Sequence, residues 1–346
     1  MDPAAEAPRV AEARETAVLA KVGAVLNEYC LSAVGKTVAW AYLRKMHEAD
    51  SARAKAWWLR RLNGRDSVPP AGTTPWQRGC PEVLEGLCAR PFWFCGGSEP
   101  PAELAWVRAL EAGVPEMREE LLALRSSGGF QPYRSPGAAN STHAADAFGR
   151  KGTDAGAWNV FYLELHNVDF AQNRAKCPKT CALLDAVPRK YGHAFFSAVA
   201  PETHITKHNG PTNKKLRCHL PLVVPASAGA CRLRVADDTR AVCEGSTLVF
   251  DDSFEHEAWN DDPMHARIVL VVDVWHPDLS LRETKFLGFL QTAAMKRDKR
   301  ECAVRGMDDD NFYAVIDKAR HVSRCALFVS KDACTQVVAD DTEVWS

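Results

Sequence analysis

The feature that most constrains this chain is a series of short runs of β-branched and aromatic residues in its second half. The runs are WNVFYLEL from Trp158, HAFFSAVA from His193, LRCHLPLVV from Leu216, CRLRV from Cys231, STLVF from Ser246 and ARIVLVVDV from Ala266. Turn residues separate them, and most of the intervals between them contain no helical pattern. Successive strands without connecting helices favour antiparallel pairing over a parallel sheet. We therefore predict an antiparallel sandwich or barrel.

Helical patterns lie on both sides of these runs. The stretch from Glu12 to about Asn63 is rich in helix-forming residues and predicts two or three helices. Pro101–Ala112 and Pro115–Leu124 each begin with proline, which the first turn of a helix tolerates, so two short helices are predicted there. A further helix is predicted from Ser280 onward, in LRETKFLGFLQTAAMKR.

Two other stretches lack a clear helix or strand pattern. Gly64–Gly79 collects Pro, Gly, Ser and Thr and predicts a linker. Gln131–Ala157 is rich in Gly, Ala, Ser, Asn and Thr and predicts a long surface loop that could cover an active site. The expected organisation is a helical N-terminal region at 1–75, a β domain at 76–285 and a C-terminal helical extension at 286–346.

Charge and apolar content narrow the classes of partner. Among 346 residues, 43 Lys and Arg oppose 44 Asp and Glu, so a net charge of −1 gives no general attraction to nucleic acid or to an anionic membrane. The hydrophobic fraction of 46% is typical of a folded, soluble chain. No run approaches the roughly 18 apolar residues of a membrane span, and no signal peptide is recognised. A cytoplasmic protein with neither nucleic acid nor membrane as partner is therefore expected.

The twelve cysteines are too sparse for a small disulfide-stapled scaffold. A reducing compartment fits this density better. Cys177 and Cys181 lie close together in CPKTC, and the sequence leaves open whether they form a disulfide.

Two motifs resemble known catalytic signatures but are incomplete. SAVGKT at Ser32–Thr37 ends like a phosphate-binding loop, yet Cys30 stands where its first glycine is needed and the surrounding pattern is helical. His256-Glu257 begins like the zinc motif HExxH, but Asn260 replaces the second histidine. Neither motif supports its usual chemistry.

Histidines are concentrated between Ser197 and Pro277. Of the eleven in the chain, this segment holds His204, His208, His219, His256, His265 and His276. A single histidine is more often a hydrogen-bonded core or surface residue than a ligand. However, His208 precedes the turn before the strand from Leu216, and His256 follows the turn after the strand that ends at Phe250. Two histidines at strand ends can share a metal ion at the mouth of a barrel.

Basic residues also fall at positions where a β domain is buried. In the strand from Leu216, the alternation of side chains places Arg217, His219 and Pro221 on one face. Arg267 begins a nearly continuous apolar strand, where an unpaired guanidinium would be strongly unfavourable. From the residues alone, two partners remain open for Arg267: an anionic ligand, or a salt bridge within the protein. The acids available for such a bridge are Asp251, Asp252 and Asp273.

Three segments are considered together: HNGPTNKKLRCHLPLVVP from His208, GSTLVFDDSFEHEAWN from Gly245 and RIVLVVDVWHPDL from Arg267. In combination they resemble the aspartyl/asparaginyl β-hydroxylase family of Fe(II)- and 2-oxoglutarate-dependent oxygenases. A looser resemblance extends upstream through CPEVLEGLCARPFW, GGFQPYR and CPKTCALLDAVP, so that it covers about residues 80 to 285. It implies a mainly β fold with helical additions: a double-stranded β-helix core, a jelly roll like that of cupins, flanked by N- and C-terminal helices.

The same resemblance implies roles for individual residues. His208 and His256 would bind Fe(II). Gly210 stands where most oxygenases of this fold carry the aspartate of an HxD motif, and in the β-hydroxylase branch water is thought to take that place. Asp251 or Asp252 stays open as an unexpected carboxylate ligand.

Arg267 would pair with the distal carboxylate of the cosubstrate 2-oxoglutarate, and Ser197 and His219 would add hydrogen bonds to it. Arg217 and Lys215 are then left for the carboxylate of an acidic substrate. Relatives tend to carry arginine at the position of Lys215 and a basic residue at that of Phe195, so the identity of the substrate stays open.

The implied reaction consumes O₂ and 2-oxoglutarate, releases succinate and CO₂, and hydroxylates an unactivated C–H bond. Family members hydroxylate the β-carbon of Asp or Asn residues in peptides and proteins, which is the leading prediction. Two alternatives stay open: the same chemistry on a free amino acid, lipid or natural-product precursor, and a catalytically silent jelly roll that binds acidic ligands.

Overall fold

A computed structural model describes residues 32–45, 53–54, 56–57, 70, 72–124, 130–133 and 152–304. Most of its β-strands lie between Trp158 and Trp275. The strands are β1 Phe92–Cys95, β2 Gln131–Pro132, β3 Thr153–Ala155, β4 Trp158–Leu165, β5 Val168–Asp169, β6 Lys190–Val199, β7 Thr203–His208, β8 Lys215–Val223, β9 Cys231–Val235, β10 Asp238–Ala241, β11 Leu248–Phe250, β12 His256–Asn260 and β13 Arg267–Trp275.

The strands form two antiparallel sheets. The larger sheet has the order β1-β11-β8-β13-β6-β4-β2, with β5 beside β4, and the smaller has the order β10-β9-β12-β7-β3. Sequence neighbours such as β7 and β8 lie in different sheets, so the chain crosses repeatedly from one sheet to the other. Buried residues of both sheets, such as Val269 and Leu233, share one core between them. This is the double-stranded β-helix, or jelly roll, that the family resemblance implies.

The larger sheet has two different faces because side chains alternate along its strands. On β8, Leu216, Cys218 and Leu220 point away from the smaller sheet into a second apolar core. That core is covered by short helices, which are α2 Val107–Ala112, α3 Val114–Ala123 and α5 Pro178–Asp185, with α4 Ala171–Ala175 preceding the last. The other face of β8 carries Arg217 and His219, so the polar residues of this strand face the interior of the jelly roll.

A third apolar cluster joins the two ends of the described chain. Helix α1, Ala33–Lys45, and helix α6, Leu281–Val304, contribute Ala39 and Phe286, which are both fully buried. Trp57 and Leu84 complete the contact. Helix α6 runs without a break across the boundary predicted at 285/286. The domain limits themselves stay a prediction.

The structure confirms most of the predicted strands and corrects several details. The prediction missed β7 and β12, the two strands that carry the histidine pair. The helix predicted at Pro101–Ala112 is a 3₁₀ turn, Ala102–Leu104, followed by the shorter α2. Of the loop predicted at Gln131–Ala157, the described residues include β2 and β3, and residues 134–151 lie outside the described part of the chain.

The structure also shows the outcome for the incomplete phosphate-binding motif, the close cysteine pair and possible membrane spans. The SAVGKT segment runs into helix α1 rather than out of a strand, so it forms no phosphate-binding loop. Cys177 and Cys181 both carry free thiols. Within the described residues, no helix combines the length and apolar character that a membrane crossing requires.

Candidate functional site

The candidate site is built around two histidines on neighbouring strands of the smaller sheet. His208 is the last residue of β7 and His256 is the first residue of β12, and the antiparallel register places them directly opposite each other. Their ring centroids are 4.1 Å apart. Although 48 positions separate them in the sequence, strand pairing brings them together, as the prediction of a shared metal requires.

Both imidazoles are held in one tautomer by the backbone. His208 Nδ1 lies 2.8 Å from Thr206 O, and His256 Nδ1 lies 2.8 Å from Phe254 O. Because a carbonyl oxygen only accepts, each Nδ1 must carry the hydrogen, which leaves the Nε2 lone pair free. Burial lowers the pKa of His208, and burial together with the neighbouring His208 lowers that of His256 well below its usual value. Two neutral imidazoles with free Nε2 atoms are a donor set that suits Fe(II).

The position two residues after His208 has no room for a side chain. An ideal Cβ on Gly210 would lie 2.6 Å from Cγ of Asp252 and 2.8 Å from its backbone oxygen. Gly210 N also donates to that oxygen, at 2.6 Å. An aspartate at 210 therefore does not fit without moving the 251–253 turn.

No third protein ligand joins the two histidines within the residues that the structure describes. Asp251 accepts hydrogen bonds from the backbone and side chain of Ser253, and Asp252 Oδ2 accepts one from Lys215. The idea that either aspartate completes a set of three ligands therefore finds no support. The remaining oxygen of Asp252, Oδ1, is buried and without a hydrogen-bond partner in the described part of the chain.

Arg267 is the second distinctive element of the site. It begins β13, points into the jelly roll and is 1% exposed. Its Nε and Nη1 are buried and have no hydrogen-bond partner among the described residues. Burial lowers the pKa of Arg267 to about 10. The alternative of an internal salt bridge fails, because Asp252 and Asp273 bind other cations and Asp251 accepts its hydrogen bonds from Ser253. An unpaired buried guanidinium of this kind fits an anionic ligand.

Ser197 and His219 lie on the same inner face of the larger sheet. Ser197 Oγ accepts a hydrogen bond from Trp158 Nε1 at 2.9 Å, which leaves its own hydroxyl hydrogen free to donate. His219 packs edge-on against Phe250, at 4.9 Å between centroids, and burial lowers its pKa well below the usual value. In the register of the sheet, Ser197 lies opposite Val269 and His219 lies opposite Val271, on the same strand β13 that Arg267 begins.

The two basic residues assigned to the substrate already have internal partners. Arg217 donates to both carboxylate oxygens of Asp273, from Nε at 2.8 Å and from Nη2 at 2.9 Å. Lys215 is fully buried and lies 2.6 Å from Asp252 Oδ2 and 3.0 Å from Asp273 Oδ2. Burial opposes the charge of Asp273, but Arg217 and Lys215 hold its pKa well below the usual range. The cluster of these four residues is electrically balanced without any ligand.

Hydrogen bonds that involve Trp76 and Gln77 form a brace on the histidine turns, and no pattern in the sequence predicted this brace. Asn209 Nδ2 donates to Trp76 O and to Ser253 O, both at 2.8 Å. Gln77 Nε2 donates to Ser253 Oγ at 2.8 Å and lies 3.3 Å from Asp251 Oδ2. Residues 75–77 were interpreted as the end of a linker, yet they tie together the turns that precede β8 and β12. No spacing rule signals this contact, because it joins residues more than 130 positions apart.

Comparisons with known proteins show which sequences this chain resembles. Residues 111–277 match the family model described as aspartyl/asparaginyl beta-hydroxylase. The human aspartyl/asparaginyl beta-hydroxylase is 34% identical over 224 residues, which is 61% of this chain and 26% of the relative. The ornithine lipid ester-linked acyl 2-hydroxylase of Rhizobium tropici is 34% identical over 178 residues, 51% of this chain and 59% of the relative. The chain thus spans about a quarter of the first relative's length and under two thirds of the second's.

Among solved structures, an oxidoreductase from Burkholderia pseudomallei described as a 2OG-Fe(II) oxygenase family member is similar. It is 11% identical, and the match covers 57% of this chain and 100% of that chain with a TM-score of 0.32. This score is low, and the fold assignment rests on the strand order and register.

Proposed function

Because residues 111–277 belong to the aspartyl/asparaginyl β-hydroxylase family, we propose that this chain is an Fe(II)- and 2-oxoglutarate-dependent dioxygenase. The observation that carries the proposal is the pair of facing imidazoles, His208 and His256, each with Nδ1 held by a backbone carbonyl and Nε2 free. A hydroxylase of this family needs a metal, and this pair is the donor set in the described chain that fits one.

The residues of the site have separate roles in binding the metal and the cosubstrate. His208 and His256 hold iron through Nε2, and Arg267 binds the distal carboxylate of 2-oxoglutarate. Ser197 donates its free hydroxyl hydrogen to the same cosubstrate, and His219 adds a second hydrogen bond. When bound, iron and 2-oxoglutarate together supply the oxidising power that inserts one atom of O₂ into an unactivated C–H bond. The apolar core between the sheets, with Val269 and Leu233, excludes water from the reaction.

We assign the side chain of a peptide or protein Asp or Asn residue as the substrate, hydroxylated at its β-carbon. Arg217 is 14% exposed at its side chain and remains within reach of a ligand. Lys215, by contrast, is buried between two carboxylates. Its predicted contact with the substrate therefore becomes an indirect one, in which it balances the charge beside Arg217.

A second candidate substrate is a lipid or another small molecule. The relative from Rhizobium tropici, whose name describes a hydroxylase of the acyl chain of ornithine lipid, favours it. The oxygenase chemistry is the same for both candidates, so substrate screening separates them. A silent binding module is a third candidate, and it predicts no turnover at all.

The test is formation of succinate from 2-oxoglutarate by purified protein with and without added Fe(II). We expect Fe(II)-dependent succinate, together with a gain of one oxygen in an Asp or Asn peptide measured by mass spectrometry. His208→Ala and His256→Ala should each abolish succinate formation. His204→Ala is the matched control, since His204 lies on the same strand but contacts Asp154 and Glu257. Full turnover in both site variants would contradict the proposal.

A further inference from the structure

The pairing of β7 with β12 is interrupted directly beside the two histidines. His208 lies opposite His256, but the next pair along the strands is Ile205 with Ala258. Strand β7 therefore carries one extra residue over this interval, which is a β-bulge. A bulge disrupts the ladder of backbone hydrogen bonds, so strand pairing fixes the separation of the two imidazoles only on one side and only weakly. Contacts in the two turns on the other side decide how firmly the pair is held.

On that side, the carboxamide of Asn209 joins the two turns. Asn209 follows the first histidine, and its Nδ2 donates to Trp76 O and to Ser253 O, both at 2.8 Å. The backbone N–H of Glu255, which precedes the second histidine, donates to the same oxygen of Trp76 at 2.7 Å. The carbonyl of Trp76 thus accepts one hydrogen bond from each of the residues adjacent to the histidine pair.

The position of the Asn209 carboxamide also depends on Gly79. An ideal Cβ on Gly79 would overlap Asn209 Oδ1 and would lie 2.9 Å from its Cγ. Gly79 is not among the glycines of the described chain with a positive φ, so alanine at this position brings no backbone strain. Alanine at 79 would therefore displace the carboxamide, the mobile end of a side chain, without a contact to either histidine.

The small number of protein ligands makes this placement important for the metal. Among the described residues, no third His, Cys, Asp or Glu forms a metal-binding group with the two imidazoles. The affinity for a metal then depends on how well two Nε2 atoms are placed before it binds, because a loosely held pair loses conformational freedom on binding. Residues that orient metal ligands without touching the metal typically change its affinity by roughly 10- to 100-fold.

We propose that Asn209 is a positioning residue for the metal, whose carboxamide acts with the Trp76 carbonyl to fix the separation of His208 and His256. The inference rests on the proposed function. It adds that residues 76–79, which lie outside the family match at 111–277, are part of the metal site. A brace that served only the fold would change stability and leave the metal affinity unchanged.

Asn209→Leu tests this role, because it removes both hydrogen bonds and keeps a side chain of similar size. The probe is Mn(II) alone, added to metal-free protein without 2-oxoglutarate, and electron paramagnetic resonance measures the free Mn(II). We expect the Kd for Mn(II) to rise by roughly 10- to 100-fold. Asn173→Leu is the matched control, since Asn173 on α4 also donates from Nδ2 to a backbone carbonyl, Tyr162 O, at 2.8 Å. Its Kd should equal that of the wild type.

Gly79→Ala is the second variant, and it decides the question alone if Asn209→Leu does not fold. It displaces the same carboxamide, so the Kd for Mn(II) should rise in this variant as well. Gly288→Ala is its control, because the added Cβ would meet Trp275 at an ordinary 3.7 Å. At saturating Co(II), the absorption bands of the bound ion should shift in Gly79→Ala and stay unchanged in Gly288→Ala, since ligand placement alters these bands and a change in stability alone does not.

Each other result has a defined meaning. A wild-type Kd for Mn(II) in the folded variants Asn209→Leu and Gly79→Ala overturns the inference. Lower thermal stability with an unchanged Kd and an unchanged Co(II) spectrum also overturns it, because the brace would then serve only the fold. If the wild type binds Mn(II) but forms no succinate with Fe(II), the proposed function fails and the Kd values still decide the inference. Absence of metal binding by the wild type overturns both.

Discussion

The inner face of the larger sheet contains two cationic regions, of which one is paired with carboxylates of the protein and the other is not. Around Arg217, every charge has a partner of opposite sign within the protein, with Asp273 and Asp252 balancing Arg217 and Lys215. Around Arg267, no carboxylate lies within ion-pair distance among the described residues, and two guanidinium nitrogens are unpaired. Both regions are buried, and both lie on strand β13 or its neighbour β8.

The difference separates charges that the protein itself balances from a charge that only a ligand balances. A buried ion pair that is internally satisfied holds its geometry without help, whereas an unpaired buried charge is unfavourable until a counter-ion arrives. The fall in the pKa of Arg267 to about 10, against the rise in that of Arg217, reflects the same contrast. We therefore expect substitutions in the two regions to have opposite consequences for ligand binding and for stability.

On the unpaired side, the expected effect is on cosubstrate binding. Arg267→Met should raise the KM for 2-oxoglutarate more than hundredfold, which corresponds to about 3 kcal/mol of lost binding energy. The metal-free variant should be no less stable than the wild type, because it loses an unpaired buried charge and keeps an apolar side chain. Titration with 2-oxoglutarate and thermal unfolding measure the two quantities. Arg232→Met, at a half-exposed pair with Asp261, is the control. Normal binding of 2-oxoglutarate by Arg267→Met would show that Arg267 does not need this ligand as its partner, and would contradict the contrast between Arg267 and Arg217.

On the balanced side, the effect should fall on stability first. Asp273→Asn leaves Lys215 and Arg217 with Asp252 as their single carboxylate partner, so we expect a loss of roughly 3 to 5 kcal/mol in the free energy of unfolding. Chemical denaturation measures it. Asp238→Asn breaks the exposed pair with Arg240 and should cost about 1 kcal/mol or less. Similar losses of unfolding free energy in the two variants would show that the buried charge cluster does not stabilise the fold more than an exposed ion pair.

A substitution at Gly210 tests whether close packing requires glycine at this position, two residues after His208. Gly210→Ala places a Cβ 2.6 Å from Asp252 Cγ, so the turn must shift, at a cost of about 1 to 3 kcal/mol. Gly288→Ala on α6 is the matched substitution, since its Cβ would meet Trp275 at an ordinary 3.7 Å. Unfolding of both variants in denaturant compares them. Equal stability would mean that the 251–253 turn yields easily.

The smallest expected effect concerns pH. Burial raises the pKa of Asp251 from an ordinary value of 3.8 to about 7. The folded protein therefore binds more protons than the unfolded chain between these values, and this group's contribution to stability is lost as the pH rises through about 7. The wild type should lose about 1.4 kcal/mol more than Asp251→Asn between pH 6 and pH 8, in metal-free protein. Parallel curves for the two proteins would contradict this assignment.

Much of the fold and part of the site could be predicted from local patterns. Alternation along β8 placed Arg217 and His219 on one face, and the turns beside His208 and His256 marked both as strand ends. The strands β7 and β12 escaped prediction because polar residues make up most of their sequences, THITKH and HEAWN. The brace from Trp76 and Gln77 also escaped, because hydrogen bonds between distant segments leave no periodic trace in either one.

The sequence by itself determined the antiparallel strand pattern, the family motifs and the presence of buried cations. The tertiary structure decided which cation is satisfied. Register places Asp273 directly opposite Arg217 across the β13–β8 pair, whereas the residue opposite Arg267 on β6 is Val199. A charge in a low-dielectric interior depends on the few groups within hydrogen-bond distance, and the strand register together with the turns between strands determines which groups those are.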